Sequence, residues 1–176
     1  MLGRDETRRL LHELEAELAT AGAIGEVGIL GGAVMCLVFD ARVATRDVDA
    51  VFRPTSEIRA AAARVAKANG LPEDWLNDAA KGFLVSTPPR VNVLDLPCLR
   101  VWAPTAEYML AMKCVSARYD THDADDVEFL IRELALRTPD EVFAVIARYY
   151  PKSLVPPKTR FLVEELLDVD DEEASA

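Results

Sequence analysis

The sequence predicts an α+β fold in which an α/β half, residues 1 to 103, precedes a helical half, residues 104 to 167. Three observations lead to this prediction. Leucines recur at helical spacing near the start, short apolar runs bounded by Gly and Pro follow, and only helical patterns continue after Pro104. Because no linker separates the halves, we expect one domain over 1 to 167 and an acidic tail over 168 to 176.

The α/β half is predicted to open with an amphipathic helix and to alternate strands with helices. Its predicted elements are a helix over 4 to 20, a strand over 27 to 30, a helix over 33 to 39, a strand over 47 to 52, a helix over 55 to 69 capped by Thr55 or Ser56, a short helical piece over 72 to 80, and strands over 83 to 86, 91 to 96 and 99 to 102.

The helical half is predicted to contain four helices. They cover 105 to 118, 123 to 137, a third that starts at the Thr138-Pro139-Asp140-Glu141 capping sequence, and 157 to 167. The acidic residues from Asp168 to Glu173 are expected to be solvated and frayed.

Composition narrows the classes of function. The formal net charge of −10 argues against broad, charge-driven binding to nucleic acid. Three cysteines without a pairing pattern indicate buried thiols in a reducing compartment, and the first residues lack the apolar core of a signal peptide. With no run of about 20 apolar residues, the sequence predicts a cytoplasmic protein without a membrane segment.

Asp47 and Asp49 are the residues that carry the clearest chemical signal. Two residues apart on a predicted strand, their carboxylates leave the same face and can share one cation. Mg²⁺ suits such a pair because it takes oxygen ligands, one or two of them carboxylates, and fills its other positions with water and substrate phosphate; Mn²⁺ is the alternative.

A glycine pair, Gly31–Gly32, lies upstream where a strand passes into a helix. Backbone N–H groups there can approach an anion such as a triphosphate. Glycine pairs are also common turns, and Asp-x-Asp is often an exposed sheet edge with nothing bound. The two motifs in this order favour a nucleotide site over chance.

Other polar residues leave two interpretations open. Lys113 on an apolar helix either reaches solvent along its stem or binds phosphate. Arg42 and Arg46 flank the acidic strand and either pair with its carboxylates or meet phosphates. His122 with its neighbouring aspartates could bind a metal, but an acidic helix N-terminus is the simpler interpretation.

The segments LGGAV and RVATRDVDAVF resemble the signature of polymerase beta-like nucleotidyltransferases. Arg42, Thr45, Asp47 and Asp49 fit the R-x-x-T-x-D-x-D form of AbiEii-like and MenT-like toxins of bacterial toxin–antitoxin pairs. The segment from Ala106 to Leu130 is also similar to that branch. The resemblance covers roughly residues 24 to 136 and implies a polymerase beta-like core, a small mixed sheet with flanking helices.

By this resemblance Lys113 contacts the nucleotide phosphates, and Asp126 is a later functional acid, with Asp123 as the competing assignment. The superfamily usually supplies a third carboxylate from a following strand. The best-placed residue here is Asn92, with Asp95 out of phase. Two alternatives follow: metal binding rests on Asp47 and Asp49 with help from the helical half, as the toxin-like branch implies, or catalysis is weakened or lost.

The function that the resemblance implies is transfer of a nucleoside monophosphate from a nucleoside triphosphate to an acceptor hydroxyl. The expected acceptor is RNA, most of all tRNA, and a cognate antitoxin is an expected protein partner. A basic surface for RNA is expected from Arg8, Arg9, Arg148, Lys152, Lys158 and Arg160. The alternatives are a protein or small-molecule acceptor, or a binding or antitoxin module without catalysis.

Overall fold

The computed structural model describes residues 1 to 116 and 121 to 173, with side chains except at 80, 83, 121 and 169 to 173. It divides into two compact units. The first comprises Met1–Gly82 and Pro89–Pro104, and the second comprises Phe83–Pro88 and the described residues from Thr105 onward.

The first unit contains three α-helices and seven short strands in its described residues. In chain order these are β1 (Leu2–Gly3), α1 (Arg4–Thr20), β2 (Gly25–Ile29), α2 (Gly31–Leu37), β3 (Ala44–Thr45), β4 (Val48–Arg53), α3 (Thr55–Asn69), β5 (Leu76–Asn77), β6 (Arg90–Asp95) and β7 (Leu99–Pro104).

Five of these strands form one mixed sheet in the order β5-β4-β2-β7-β6. β2 pairs antiparallel with β4 and parallel with β7, β4 pairs parallel with β5, and β6 pairs antiparallel with β7. β1 and β3 form a separate two-stranded ladder. The predicted α+β class with a small mixed sheet is confirmed.

Helices α1 and α3 cover apolar residues of this sheet. The four leucines of α1, Leu10, Leu11, Leu14 and Leu18, are fully buried. Burying a leucine side chain stabilises a fold by about 1.5–3 kcal/mol, so this stripe is a main source of stability for the unit. Gly25 on β2 packs so closely that an added Cβ would lie 2.8 Å from Cδ1 of Leu18.

The second unit is helical, with α4 (Ala106–Ser116), α5 (Thr121–Glu133), α6 (Pro139–Tyr149) and α7 (Lys158–Glu173). The predicted start of α6 is confirmed by a capping box, in which the backbone N–H of Glu141 donates to Thr138 Oγ1 and the Glu141 carboxylate accepts from the Thr138 N–H. The predicted end of α4 at Arg118 lies outside the described residues.

The structure corrects several predicted boundaries. Residues 72 to 78 are not helical, because Leu76–Asn77 is extended and pairs with β4. A short 3-10 helix covers Ala79–Phe83, and residues 84 to 86 are not in a strand. Pro54, not Thr55 or Ser56, is the N-cap of α3. Backbone helix continues past Leu167 to Glu173, since the acidic residues include no Gly or Pro to end it.

The cysteines and the helices agree with two further expectations. Cys36 and Cys114 are buried free thiols and Cys98 is a half-buried one. Burial raises the pKa of the Cys114 thiol to about 12, which disfavours the reactive thiolate. Within the described residues, we find no helix whose length and apolar character would let it span a bilayer.

Candidate functional site

Asp47 and Asp49 lie at the start of strand β4, on the side of the strand opposite to its buried residues. Asp47 immediately precedes β4 and Asp49 is its second residue. Val48, Ala50 and Phe52 are buried on one face, whereas Asp47 and Asp49 are half-buried on the other. Both carboxylates therefore leave the same face of the first unit, at the start of one strand.

The glycine pair lies beside this strand, although it is the first turn of α2 and not a break before it. The N–H of Leu30 donates to the carbonyl oxygen of Asp49 at 2.8 Å. Gly31 has a φ of +57°, and a Cβ on it would lie 3.2 Å from Oδ2 of Asp49. Glycine is required by the left-handed backbone, and its missing side chain keeps space open next to the carboxylate.

Thr45 connects the glycine pair with the acidic strand. Its hydroxyl donates to the carbonyl oxygen of Asp47 at 3.0 Å, and the side chain is almost fully buried. A Cβ on Gly32 would lie 2.9 Å from Thr45 Oγ1 and 3.4 Å from Nη1 of Arg42. Arg42 therefore places its guanidinium beside the glycine pair, whereas Arg46 is exposed.

Sequence reasoning missed Asn77. This residue pairs with Asp49 across β4 and β5, and its Nδ2 donates to Oδ2 of Asp47 at 3.3 Å. It was missed because residues 72 to 80 carry a helical pattern, and only pairing with a distant strand makes them extended. A polar Asn-Asp pair between the buried Leu76 and a loop was the available signal.

Asn92 does not join the acidic pair. It lies on β6, three strands from β4, a separation on the order of 14 Å at the usual strand spacing. Register places it on the same face as Asp49, but the Trp102 indole lies between them, directly over Gly28. Asn92 is therefore not placed to complete a cation site with Asp47 and Asp49, and Asp95 pairs with Arg100 at 3.6 Å.

Lys113 is buried in the second unit and forms two ion pairs. Its Nζ lies 2.8 Å from Oδ1 of Asp123 and 2.7 Å from Oδ2 of Asp126, and only 7% of the residue is exposed. The amine of Lys113 is therefore not in solvent but contacts the two acids of α5. Both competing acids, Asp123 and Asp126, contact the same lysine.

The neighbouring residues of α5 follow the simpler interpretation. His122 and Asp125 are exposed, with Nδ1 and Oδ2 3.9 Å apart. Such an exposed pair contributes little to stability, so these residues belong to a solvated helix start.

No family model, curated protein or solved structure matches this chain significantly. The site must therefore be judged on its own geometry.

The acidic pair fits a divalent cation in its donor chemistry. Two half-buried carboxylates share a face, and the space next to Asp49 is one that a Cβ on Gly31 would fill. Among the residues that the structure describes, no group of three or more His, Cys, Asp and Glu is placed to hold an ion. This donor set matches Mg²⁺ or Mn²⁺, which complete their shells with water and phosphate oxygens.

Proposed function

We propose that this chain is a divalent-metal-dependent nucleotidyltransferase that moves a nucleoside monophosphate from a nucleoside triphosphate to an acceptor hydroxyl. The observation that supports it is the placement of Asp47 and Asp49 beside Gly31 and Gly32 in one unit. A carboxylate pair binds a cation, and an adjacent glycine pair leaves backbone accessible to phosphate.

In this proposal Asp47 and Asp49 hold Mg²⁺ or Mn²⁺. When bound, the ion neutralises phosphate charge and supplies Lewis-acid polarisation. Thr45 restrains the backbone immediately before β4 through its hydrogen bond to the Asp47 carbonyl oxygen, and this contact is nearly buried. Such preorganisation keeps the ligands in place before substrate binds.

The transfer itself is a substitution at phosphorus. The acceptor oxygen forms a bond to the α-phosphorus, the bond from that phosphorus to the bridging oxygen breaks, pyrophosphate leaves, and the hydroxyl proton is released to solvent. We propose that Gly31 and Gly32 lie along the triphosphate and that Arg42 and Arg46 offset its charge, because a planar guanidinium pairs with two phosphate oxygens. The chain's part is positioning and charge neutralisation.

For Lys113 and Asp126, a role in the reaction stays a prediction of the resemblance. Their contacts favour a different contribution. A lysine that holds two carboxylates at 2.7 and 2.8 Å has its charge engaged before any phosphate arrives, and removing it would take that charge away from the buried Asp126 carboxylate. We therefore propose that Lys113, Asp123 and Asp126 serve first to hold α4 against α5.

The resemblance and the surface charges favour different acceptors. The resemblance favours tRNA and a toxin role with a cognate antitoxin. The surface favours an acceptor other than nucleic acid, because three of the six cations expected to bind RNA already pair with glutamates. These pairs are Arg9 with Glu13, Arg148 with Glu107 and Arg160 with Glu164. A protein hydroxyl is thus the second candidate acceptor.

The experiment is thermal unfolding with Mn²⁺ and each of the four nucleoside triphosphates. A ligand that binds only the native state raises the melting temperature, by an amount that grows with its concentration over Kd. We expect an increase for the unmodified chain and none for Asp47→Asn with Asp49→Asn.

The matched control is Asp95→Asn with Asp125→Asn, which makes the same change of charge at two exposed acids. This control should retain the full increase. An equal increase in the Asp47 and Asp49 double variant would place nucleotide binding elsewhere and overturn the proposal.

A further inference from the structure

The sheet position next to Asp49 is occupied by an amide, and we propose that Asn77 is a positioning residue that orients the Asp47 carboxylate for the divalent cation. The inference rests on the proposed function, since it concerns the same acidic pair. In this role Asn77 acts through a donated hydrogen bond and not as an oxygen ligand.

The backbone of Asn77 is held firmly. β5 pairs in parallel with β4, with Asn77 opposite Asp49, and the N–H of Val48 donates to the carbonyl oxygen of Trp75 at 2.7 Å. Trp75 is buried, and its indole N–H donates to the carbonyl oxygen of Ala62 on α3 at 3.0 Å. Asn77 is thus fixed between the sheet and a helix, where a side chain can impose an orientation on its neighbour.

The orientation of the Asn77 amide is set by the chain itself. The N–H of Ala79 donates to Oδ1 of Asn77 at 2.9 Å, which fixes the oxygen end toward the following turn. The NH₂ end then meets Oδ2 of Asp47 at 3.3 Å and the carbonyl oxygen of Asp74 at 3.4 Å. Both hydrogen-bond partners of Nδ2 are acceptors, so the two ends of the amide agree with one assignment.

The consequence concerns the geometry of the acidic pair. An N–H that engages Oδ2 of Asp47 restrains the torsion of this carboxylate and leaves Oδ1 available to a cation. A donor at this position also offsets charge between two neighbouring acids, which a third carboxylate would increase. Residues that orient metal ligands in this way typically change metal affinity by roughly 10–100-fold when they are removed.

The test is Mn²⁺ binding to the nucleotide-free chain by calorimetric titration, combined with melting temperatures measured without metal. We expect Asn77→Ala to weaken Mn²⁺ binding by roughly tenfold. The matched control is Asp78→Asn, one residue further on, because Asp78 pairs with Arg59. This control should leave the Mn²⁺ Kd unchanged.

A second variant tests the hydrogen bond between Asn77 and Asp47 through the melting temperature without metal. Asn77→Asp keeps an acceptor for Ala79 but places a negative charge against Asp47. We expect its melting temperature without metal to fall below that of Asn77→Ala, and Mn²⁺ to raise it by more than in the unmodified chain. If Asn77 served only to accept the hydrogen bond from Ala79 in the following turn, Asn77→Ala would be less stable but would bind Mn²⁺ with an unchanged Kd.

The outcomes separate the two proposals. Mn²⁺ binding that is lost in Asp47→Asn but unchanged in Asn77→Ala would overturn the role of Asn77 and leave the proposed function standing. If the unmodified chain binds no Mn²⁺, or binds it independently of Asp47 and Asp49, both proposals are wrong. Weakened binding in Asn77→Ala with the expected behaviour of Asn77→Asp would support the positioning role.

Discussion

Gly31 and Gly32 lie so close to the acidic strand that a side chain at either position would contact a residue of the candidate site. The two positions differ in how they exclude it. At Gly31 the backbone is left-handed and the nearest atom is a carboxylate oxygen of Asp49, whereas at Gly32 the nearest atom is the Thr45 hydroxyl. A methyl group at Gly32 would thus disturb the bond from Thr45 to the Asp47 carbonyl.

We expect Gly31→Ala to lower the free energy of unfolding by about 1–2 kcal/mol, because a Cβ in the left-handed region is strained. It should also weaken binding of Mn²⁺ with nucleotide, since the added atom lies 3.2 Å from Oδ2 of Asp49. Denaturant unfolding and calorimetric titration measure the two effects.

Gly70→Ala is the control for this strain. Gly70 has a φ of +63°, and a Cβ there would have no atom within 4 Å. Its loss of stability should be similar to that of Gly31→Ala or smaller, because it carries the backbone strain without the close contact to Asp49, and nucleotide affinity should be retained. If both variants keep full affinity, Gly31 does not border the ligand.

Helix α4 carries its only basic residue on a buried face, and this shapes how the helices of the second unit associate. Lys113 contacts Asp123 and Asp126 of α5, which makes an ion-paired cluster between these two helices. Each of these charges would be costly to bury alone, so the three depend on one another.

We expect Lys113→Met to lower the free energy of unfolding by about 3–5 kcal/mol, because it removes the positive charge that lies 2.7 Å from the buried carboxylate of Asp126. Equilibrium unfolding in urea measures this change. The control is Lys152→Met, at an exposed lysine of the same unit, which should change stability little. An equally small effect for Lys113→Met would show that the ion pairs do not stabilise the unit, and would favour a role in binding phosphate.

The elements that sequence predicted well are those set by local patterns. Helix α1 follows from its leucine spacing, and the start of α6 follows from Thr138 and Glu141, which meet within one turn. Strand β5 could not be predicted in this way, because its two residues are extended only through pairing with β4.

The same limit explains which parts of the site were recognised. Asp47 and Asp49 share a face because of a two-residue spacing, which is visible in sequence. Asn77 joins them, and Asn92 does not, because of the order of strands in the sheet. Spacing along the chain contains no information on that order. The pairing of Lys113 with two acids also needed the packing of α4 on α5.

Across the whole chain, charge bears most on the choice of acceptor. A formal net charge of −10 disfavours nonspecific contact with RNA, and many surface cations are paired with acids. Phosphate neutralisation by Lys and Arg governs the salt dependence of such binding, so a tRNA acceptor would have to be held by few contacts. A protein acceptor would need no such surface.

Transfer of label from α-labelled nucleoside triphosphates, with Mg²⁺ or Mn²⁺, measures whether the chain moves nucleotides and whether Asp47 and Asp49 are needed. Purified tRNA and a protein lysate are offered separately to the unmodified chain and to Asp49→Asn. We expect label in one acceptor class with the unmodified chain and a loss of at least about 100-fold with the variant, as when a main source of transition-state stabilisation is removed. Equal labelling by both chains, or no labelling of either acceptor by the unmodified chain, would contradict this expectation, and the second result would favour a binding or antitoxin module.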